Sequence, residues 1–534
     1  MRPYLWPLAL LPWLPADAAV MVVDTGADTA LSACTAAAFD CSLRGALLAA
    51  NATPELDDIQ FDIPASDPSF QPATASWRIE VSNSALPLIE APVVIDGYTQ
   101  PGASANTQTP LQGGLNAVLK IELRLVNSNG FNGLEISGNF PAQAASTIRG
   151  LAISRFMNQI VLTGNAAHRI EGCFLGTDIS GSQPASTPTQ GRGIFGFGSG
   201  PYVIGGSTPA ARNLISAMSG AYFTFAPANG LVIQGNLIGT DKSGLQPLGH
   251  SSNALEFTAP LTNALIGGSD GQARNVVAAT RFTALYLSSS GANAYLGTRV
   301  LGNYFGVGVD GLTPLGNGIN SASPSQPQPT ISVFSGSQCR LDIGGEAPGE
   351  ANLIAHGGAA GILVSACTGL SAPLNRYRNN RSIAFDLSAT SNADGATVND
   401  PADADEGGNR LINYPELSLP AGFAPGGGGT ASLTVRVDSA PASVSYPLTV
   451  RAYRGDCGGG SRELLGSTQI QLVDAQLPQT WVLSAVDGSN LLPLTLTTTD
   501  ATGNASEFSP MQGDAVFADA LEDSAPTLTV GRCR

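Results

Sequence analysis

An all-β fold is predicted, a right-handed parallel β-helix (a solenoid) with an N-terminal cap and a C-terminal immunoglobulin-like β-sandwich, and three features of the sequence point to it. The first is composition. Only 12% of the 534 residues are charged and 63 are glycine, against a typical ~25% charged and ~7% glycine, which disfavours an ordinary helical enzyme. The second is a long-period repeat. The stretches Arg169 to Asp178, Val232 to Asp241 and Arg299 to Asp310 can be laid over one another, and their glycines Gly172, Gly235 and Gly302 stand 63 and 67 residues apart. A second set interleaves with them: Val203-Ile-Gly-Gly206 before Arg212-Asn213, Leu265-Ile-Gly-Gly268 before Arg274-Asn275, and Asp342-Ile-Gly-Gly345 before Asn352. A period this long with internal echoes marks a solenoid. The third is the local pattern. Apolar residues come in short bursts, such as 148–153, 160–162 and 284–287, separated by Gly, Asn, Ser and Pro, which read as short strands.

Ile148 and Ile170 fall 22 residues apart, which predicts three coils of about that length in each 63-residue unit. Strands then pair with their copies one coil away, and inward Ile, Leu, Val and Phe stack into a continuous core. Glycines of the Gly-Asn and Gly-Gly steps supply corners with positive φ. An array of β-sandwiches is the competing reading. It needs tight hairpins, and Asn129-Gly130 and Asn132-Gly133 are not followed by paired strands.

Taken in order, residues 1–18 read as a secretory signal peptide: Arg2, an apolar run from Tyr4 to Leu14, and Ala16-Asp17-Ala18 as the cleavage site, so that the exported chain begins at Ala19. Export accounts for the seven cysteines. Close spacing favours a Cys34–Cys41 disulfide, Cys339 with Cys367 and Cys457 with Cys533 are the further pairings, and Cys173 is left over. After residue 20 no segment approaches the ~18 consecutive apolar residues of a spanning helix, so no transmembrane segment is expected. Residues 19–64 form the cap, in which a helix beginning at Leu43 covers an otherwise open sheet edge. The β-helix follows over 65–420, and a Gly-rich linker over 421–429. Alternation at Leu433, Val435 and Val437, at Ile470 and Leu472, and at Leu494 and Leu496 predicts the sandwich over 430–512, with 499–508 as its closing strand. Residues 513–534 are a tail.

Cys41-Ser-Leu-Arg-Gly-Ala46 before Asn51, then Asp58 to Asp62, then Val94-Ile-Asp-Gly97 with Thr99-Gln-Pro-Gly102, resembles the N-terminal region of bacterial secreted right-handed parallel β-helix repeat proteins that carry a CSLREA-type motif. Gly45 stands where that motif has Glu, which removes a capping carboxylate. The Gly-Asn and Ile-Gly-Gly repeats are similar to that family's, as is Asn399 to Asn409 leading into Asn413-Tyr-Pro415. The resemblance spans roughly residues 20 to 420. It implies a pectin-lyase-like architecture and a secreted or surface location, and it implies no particular activity.

A formal charge of −16 argues against nucleic acid as a partner. With lysine only at 120 and 242, histidines scattered at 168, 250 and 356, and no CxxC pair, Schiff-base chemistry and zinc are not indicated. Polysaccharide enzymes do use β-helix faces, and their acids act as pairs. Glycoside hydrolysis needs two carboxylates ~5–9.5 Å apart. Three coils between Asp178, Asp241 and Asp310 would put each ~14 Å from the next, and Thr-Asp before a turn is what a loop uses. Asp57-Asp58 precedes a strand in the cap, and Arg212 and Arg274 recur in the repeat, as braces do. Catalytic residues are therefore left unassigned. The one dense acidic cluster, Asp394, Asp400, Asp403, Asp405 and Glu406 with Gly407 and Gly408 to turn the chain, offers the oxygen ligands that Ca²⁺ takes, without EF-hand spacing. A solvated loop of Asx turns is the alternative. The expected function is a non-catalytic secreted or cell-surface protein with a carbohydrate-binding or adhesive role toward extracellular polysaccharide or a cell-surface glycan. The alternative is a polysaccharide lyase or glycoside hydrolase of pectate-lyase-like fold.

Overall fold

The structure, a computed structural model, describes residues 18–82, 84–126, 130–137, 144–185, 191–224, 226–319, 326–336, 338–418, 430–455, 463–484 and 494–511. The signal-peptide run, the 421–429 linker, Cys457, Cys533 and the 513–534 tail lie outside the described residues.

Three long sheets dominate the fold. The first face has eleven strands running from Val20–Val23 to Thr368–Ser371, the second eleven from Phe70–Gln71 to Asn375–Arg378, and the third nine from Leu134–Ile136 to Phe385–Ser388. Pairing within them is parallel except where Phe70–Gln71 meets Ser76–Val81. The chain visits the faces in turn, so each strand bonds its counterpart one coil away, the arrangement expected of a solenoid. Inside, Ile148, Ile170, Ile204 and Ile233 are successive rungs of the first face, as are Ile153, Leu175, Ile215 and Ile238 of the second. Every one of these side chains is at most 1% exposed.

The coil count corrects the sequence reading. Ile170, Ile204 and Ile233 are consecutive rungs, so a 63-residue unit contains two coils, not three. The spacing misled because two kinds of coil alternate. Coils of the Gly-Asn kind turn directly from first to second face and carry their extra residues between second and third, as in the small loops closed by the bridges Thr177↔Pro184, Thr240↔Pro247 and Val307↔Pro314. Coils of the Ile-Gly-Gly kind carry theirs between first and second face, around Pro209–Ala211 and Gly271–Ala273. Asp178 and Asp241 are accordingly two coils apart, ~10 Å at the usual strand spacing.

Both ends of the stack are closed. Strands Val20–Val23 and Asp57–Phe61 already belong to the first face, so the cap is continuous with the rod, and Asp57 and Asp58 lie in a strand instead of before it. Ser42 caps the helix Leu43–Ala50, which lays Leu43, Ala46 and Leu47 over the core. Cys34 is bonded to Cys41, and Cys339 to Cys367 on neighbouring rungs.

The far end receives two antiparallel three-stranded sheets: Glu416–Ser418, Thr430–Arg436 and Gln479–Ser484, then Glu463–Ile470, Leu448–Arg454 and Leu494–Thr499. This module takes in Glu416–Ser418, which the sequence reading left in the rod. Leu433, Val435 and Val437 are buried as their alternation requires, whereas Leu472 is exposed in a short 3-10 turn. Residues 500–504 turn the chain, and 505–509 run back along Leu494–Thr499, with an antiparallel bridge Thr499↔Ala505 and Ser506 N donating to Thr498 O (2.8 Å) and Ser509 N to Leu496 O (2.8 Å), while the same stretch docks on the last coil. Asn504 Oδ1 accepts from Gly369 N (2.7 Å), Asn409 Nδ2 donates to Leu370 O (2.7 Å) and Ala505 O (2.9 Å), and Glu507 accepts from Leu387 N (2.8 Å) and Thr397 N (2.7 Å). The last strands of the first and third faces thereby gain partners, which protects those edges from adding further strands. Burial pushes the Glu507 carboxyl up to about 7, with Asp386 and Asp394 nearby adding to the rise.

At the corner between first and second face, the asparagines of both repeat sets meet in one buried ladder. Asn213, Asn236, Asn275, Asn303 and Asn352 each donate through Nδ2 to the Oδ1 of the next, at 2.9 to 3.1 Å, and the ladder ends on Asn375. Cys173 occupies the rung before Asn213 and donates its backbone N–H to Asn213 Oδ1 (2.9 Å). Its thiol is fully buried and pushed up to about 12 by desolvation, which makes it a poor nucleophile.

Candidate functional site

Strand alternation gives every face an outward ladder. On the second face it is apolar, and loops cover it: Phe174, Leu214, Leu237 and Val276 pack beneath Leu115, Val309 and Leu315 as a separate small core. On the third face, residues one position past the inward Ile194, Tyr222, Leu255, Leu285 and Ile331 form the outward series Phe195, Phe223, Glu256, Tyr286 and Ser332.

This third-face series is aromatic at intervals and opens into two clefts. Phe195 stacks on Phe197 (ring centroids 6.2 Å apart) and on Phe223 (5.9 Å), and the Arg192 guanidinium lies 4.3 Å from the Phe223 centroid. Phe197 is 56% exposed. Two rungs beyond Phe223, Tyr286 meets Phe334 with centroids 5.7 Å apart. One cleft, about 340 Å³, is lined by Arg192, Phe223, Asn253 and Glu256. The other, about 760 Å³, is lined by Tyr286, Ser332, Phe334, Gln328, Arg381 and Asn392. Glu256 and Tyr286 are adjacent rungs, so the two clefts meet one strand spacing apart. Ring faces edged by amide, hydroxyl, guanidinium and carboxylate groups are suited to stacking apolar ligand faces while hydrogen-bonding hydroxyls. None of these aromatics was singled out in the sequence, where they share no motif. Their signal is the position one residue past each inward apolar residue of the third-face strands.

The sequence-predicted acids fall elsewhere. Asp178 Oδ1 accepts from Ser182 N (3.1 Å) and Gln183 N (3.2 Å), and Asp241 Oδ1 from Ser243 Oγ (2.6 Å) and Gln246 N (3.2 Å). Each is the Asx cap of its own loop. Asp310 is burdened by some burial, yet hydrogen bonds from Leu312 and Thr313 hold it below the usual carboxylate range. Asp241 and Asp310 line a common cleft of about 720 Å³ with Lys242, Arg274 and Tyr304. A general acid there would need a raised pKa, and Asp310 is shifted the other way. Arg212 is a brace: 1% exposed, it donates to the carbonyls of Gly235, Gln108, Gly113 and Gly114. Arg274 repeats the first of these bonds, to Gly302 O (3.0 Å), and lies over the Tyr304 ring at 4.0 Å. His168 and His250 are buried and pushed down to about 4 by desolvation, hence neutral at physiological pH.

Of the acidic loop, Asp400, Asp403 and Asp405 converge, each offering an oxygen within 4.8 Å of the others. Asp394 stands apart and is exposed, with its carboxylate accepting from Ser388 Oγ at 2.9 Å. No helix among the described residues is long and apolar enough to cross a membrane. No family model matches the chain, and no curated protein matches it.

Proposed function

We propose that this chain is a secreted or cell-surface right-handed β-helix protein of the CSLREA-bearing kind, whose third face binds extracellular polysaccharide without cleaving it. The observation that carries this reading is the outward aromatic series Phe195, Phe197, Phe223, Tyr286 and Phe334, set along one rod face beside two polar clefts. Phe223 and Tyr286 are two rungs apart, ~10 Å, while Phe195 with Phe223 and Tyr286 with Phe334 lie on adjacent rungs, so two stacking platforms stand about a disaccharide's length apart on one face. Glu256 is the single carboxylate among the described residues lining these two clefts, whereas glycoside hydrolysis works with a pair. Right-handed winding is supported by the strong chirality of parallel crossovers, and an immunoglobulin-like C-terminal module by its two antiparallel sheets.

The test is a panel of acidic and neutral polysaccharides in affinity electrophoresis, with unsaturated products and reducing ends measured in parallel. Tyr286→Ala with Phe334→Ala should weaken the bound polysaccharide's affinity about tenfold, the loss of one stacking platform, with circular dichroism unchanged. Wild-type-like binding by that variant, or release of reducing ends, would overturn the reading.

Export is supported from the structure's N-terminal side. Ala19, the residue after Ala16-Asp17-Ala18, has its backbone nitrogen 2.7 Å from Asp57 Oδ1, and Asp57 is 1% exposed with its other oxygen accepting from Thr53 Oγ1 (3.0 Å). Among the described residues no arginine or lysine pairs with Asp57. Cleavage after Ala18 would turn that amide nitrogen into an ammonium held by a buried carboxylate. N-terminal sequencing of exported protein should read from Ala19, and Asp57→Asn should destabilise that form by ~1 kcal/mol, the scale of a pair whose ammonium end is exposed. An exported chain still beginning at Met1 would contradict the expectation.

A further inference from the structure

The acidic loop carries more than clustered charge. Each of the three carboxylates keeps one oxygen dry and without a hydrogen-bond partner: Asp400 Oδ1, Asp403 Oδ2 and Asp405 Oδ1. Asp403 is 4% exposed. The companion oxygens of two are spent on fixing the loop, Asp400 Oδ2 accepting from Ala404 N (2.9 Å) and Asp403 Oδ1 from Asn413 N (3.3 Å). Ser439, itself fully buried, lies beside Asp403 with its hydroxyl in no aligned hydrogen bond.

Buried carboxylate oxygens without partners are expensive unless protonated, paired or coordinated. Among the described residues no salt bridge reaches Asp400, Asp403 or Asp405, and Arg410, the basic residue nearest in sequence, donates to Ser443 O at 2.9 Å. Upstream, Arg378 donates to Gly311 O at 2.7 Å.

We propose that Asp400, Asp403 and Asp405, with Ser439 Oγ as a fourth oxygen, bind a Ca²⁺ ion that fastens the C-terminal module to the end of the rod. An all-oxygen, irregular set on a loop, without nitrogen or sulfur donors, suits calcium better than zinc, and its spread of directions suits calcium better than magnesium's strict octahedron. The location gives the ion its task. Ala402 O, flanked by the three acids, accepts from Ala440 N (3.0 Å) and Ser443 Oγ (3.1 Å) of the module, and Asn413 Nδ2 bridges Asp400 O (2.8 Å) to Asp438 O (2.7 Å). A cation held by Asp403 and Ser439 spans that seam. This inference is independent of glycan binding, since the acidic seam and the third-face clefts share no residue.

The experiment uses the full exported chain, stripped with EDTA and dialysed, then melted and titrated calorimetrically with CaCl₂ and with MgCl₂. Calcium at 1 mM should raise the melting temperature by ~3 °C or more, with a measurable binding heat and little response to magnesium. Asp403→Asn should abolish both the shift and the heat, yet melt no lower than the wild type when both are metal-free, because it removes an unmatched buried charge. The half-buried Asp405→Asn serves the same purpose should the first variant not fold, and is expected to weaken calcium binding at least tenfold. Absence of any calcium heat or shift in the wild type, or an unchanged calcium response in either variant, would overturn the proposal.

Discussion

Asn275→Ala is expected to destabilise the rod by ~3–5 kcal/mol. Asn275 is 0% exposed. Its Oδ1 accepts from Asn236 N (3.1 Å) and Asn236 Nδ2 (3.0 Å), while its Nδ2 donates to Ile233 O (2.7 Å) and Asn303 Oδ1 (2.9 Å). Truncation leaves two backbone groups, Asn236 N and Ile233 O, buried without these partners, and each orphan of this kind costs ~1–3 kcal/mol. The ladder is also broken in its middle, so polarisation along the chain of amides is lost on both sides. Asn375, the last rung, passes no amide bond onward but still holds Asn352 N and Ile343 O, so Asn375→Ala should cost less by about the one missing amide bond, ~1 kcal/mol. Urea unfolding of the two variants beside the wild type checks the order. A loss under ~1 kcal/mol for Asn275→Ala would show that the ladder is ornamental to stability.

Restoring the motif glutamate, Gly45→Glu, is expected to damage the cap instead of strengthening it. A Cβ at position 45 would stand 1.7 Å from Leu31 O and 2.1 Å from Leu31 C. Both are backbone atoms, and that backbone cannot retreat. Ser42 N donates to Leu31 O (3.0 Å), Ser32 bridges to Cys41, and Cys41 is tied to Cys34. The collision comes from the methyl position alone, so Gly45→Ala should already lose ~3 kcal/mol by overpacking, and glutamate no less. Leu48→Glu, on the 45% exposed side of the same helix, is the control and should be near neutral. Melting temperatures of the three variants decide the matter; a Gly45→Ala protein as stable as the wild type would mean that the Leu31–Ser32 segment moves aside.

Much of the architecture was legible because it is written in local periodicity. The inward Ile170, Ile204 and Ile233 and the corner glycines Gly235 and Gly302, both with φ near +70°, follow from what a strand and a tight corner require of single residues. The short Cys34–Cys41 spacing and the N-cap at Ser42 are local in the same sense. Where the reading failed, the missing information was longer than a strand. A 63-residue period is compatible with two coils or three, and only the rung-to-rung register, with loops inserted alternately on two sides, selects two.

The candidate sites lay further from view. Phe195, Phe223, Tyr286 and Phe334 belong to four different coils with loops of unequal length between them, so their stacking on one face exists only once the coils are wound. The acidic loop was visible as composition, yet the fold chose three of its acids, set Asp394 aside, and brought Ser439 from another module against Asp403. Sequence by itself determined that this chain forms short strands around an apolar, glycine-cornered stack, because burial and backbone sterics act residue by residue. Which outward side chains meet, which carboxylates lose their water, and where the terminal module seals the rod were decided by tertiary structure alone, because those depend on distances between segments that no local preference sets.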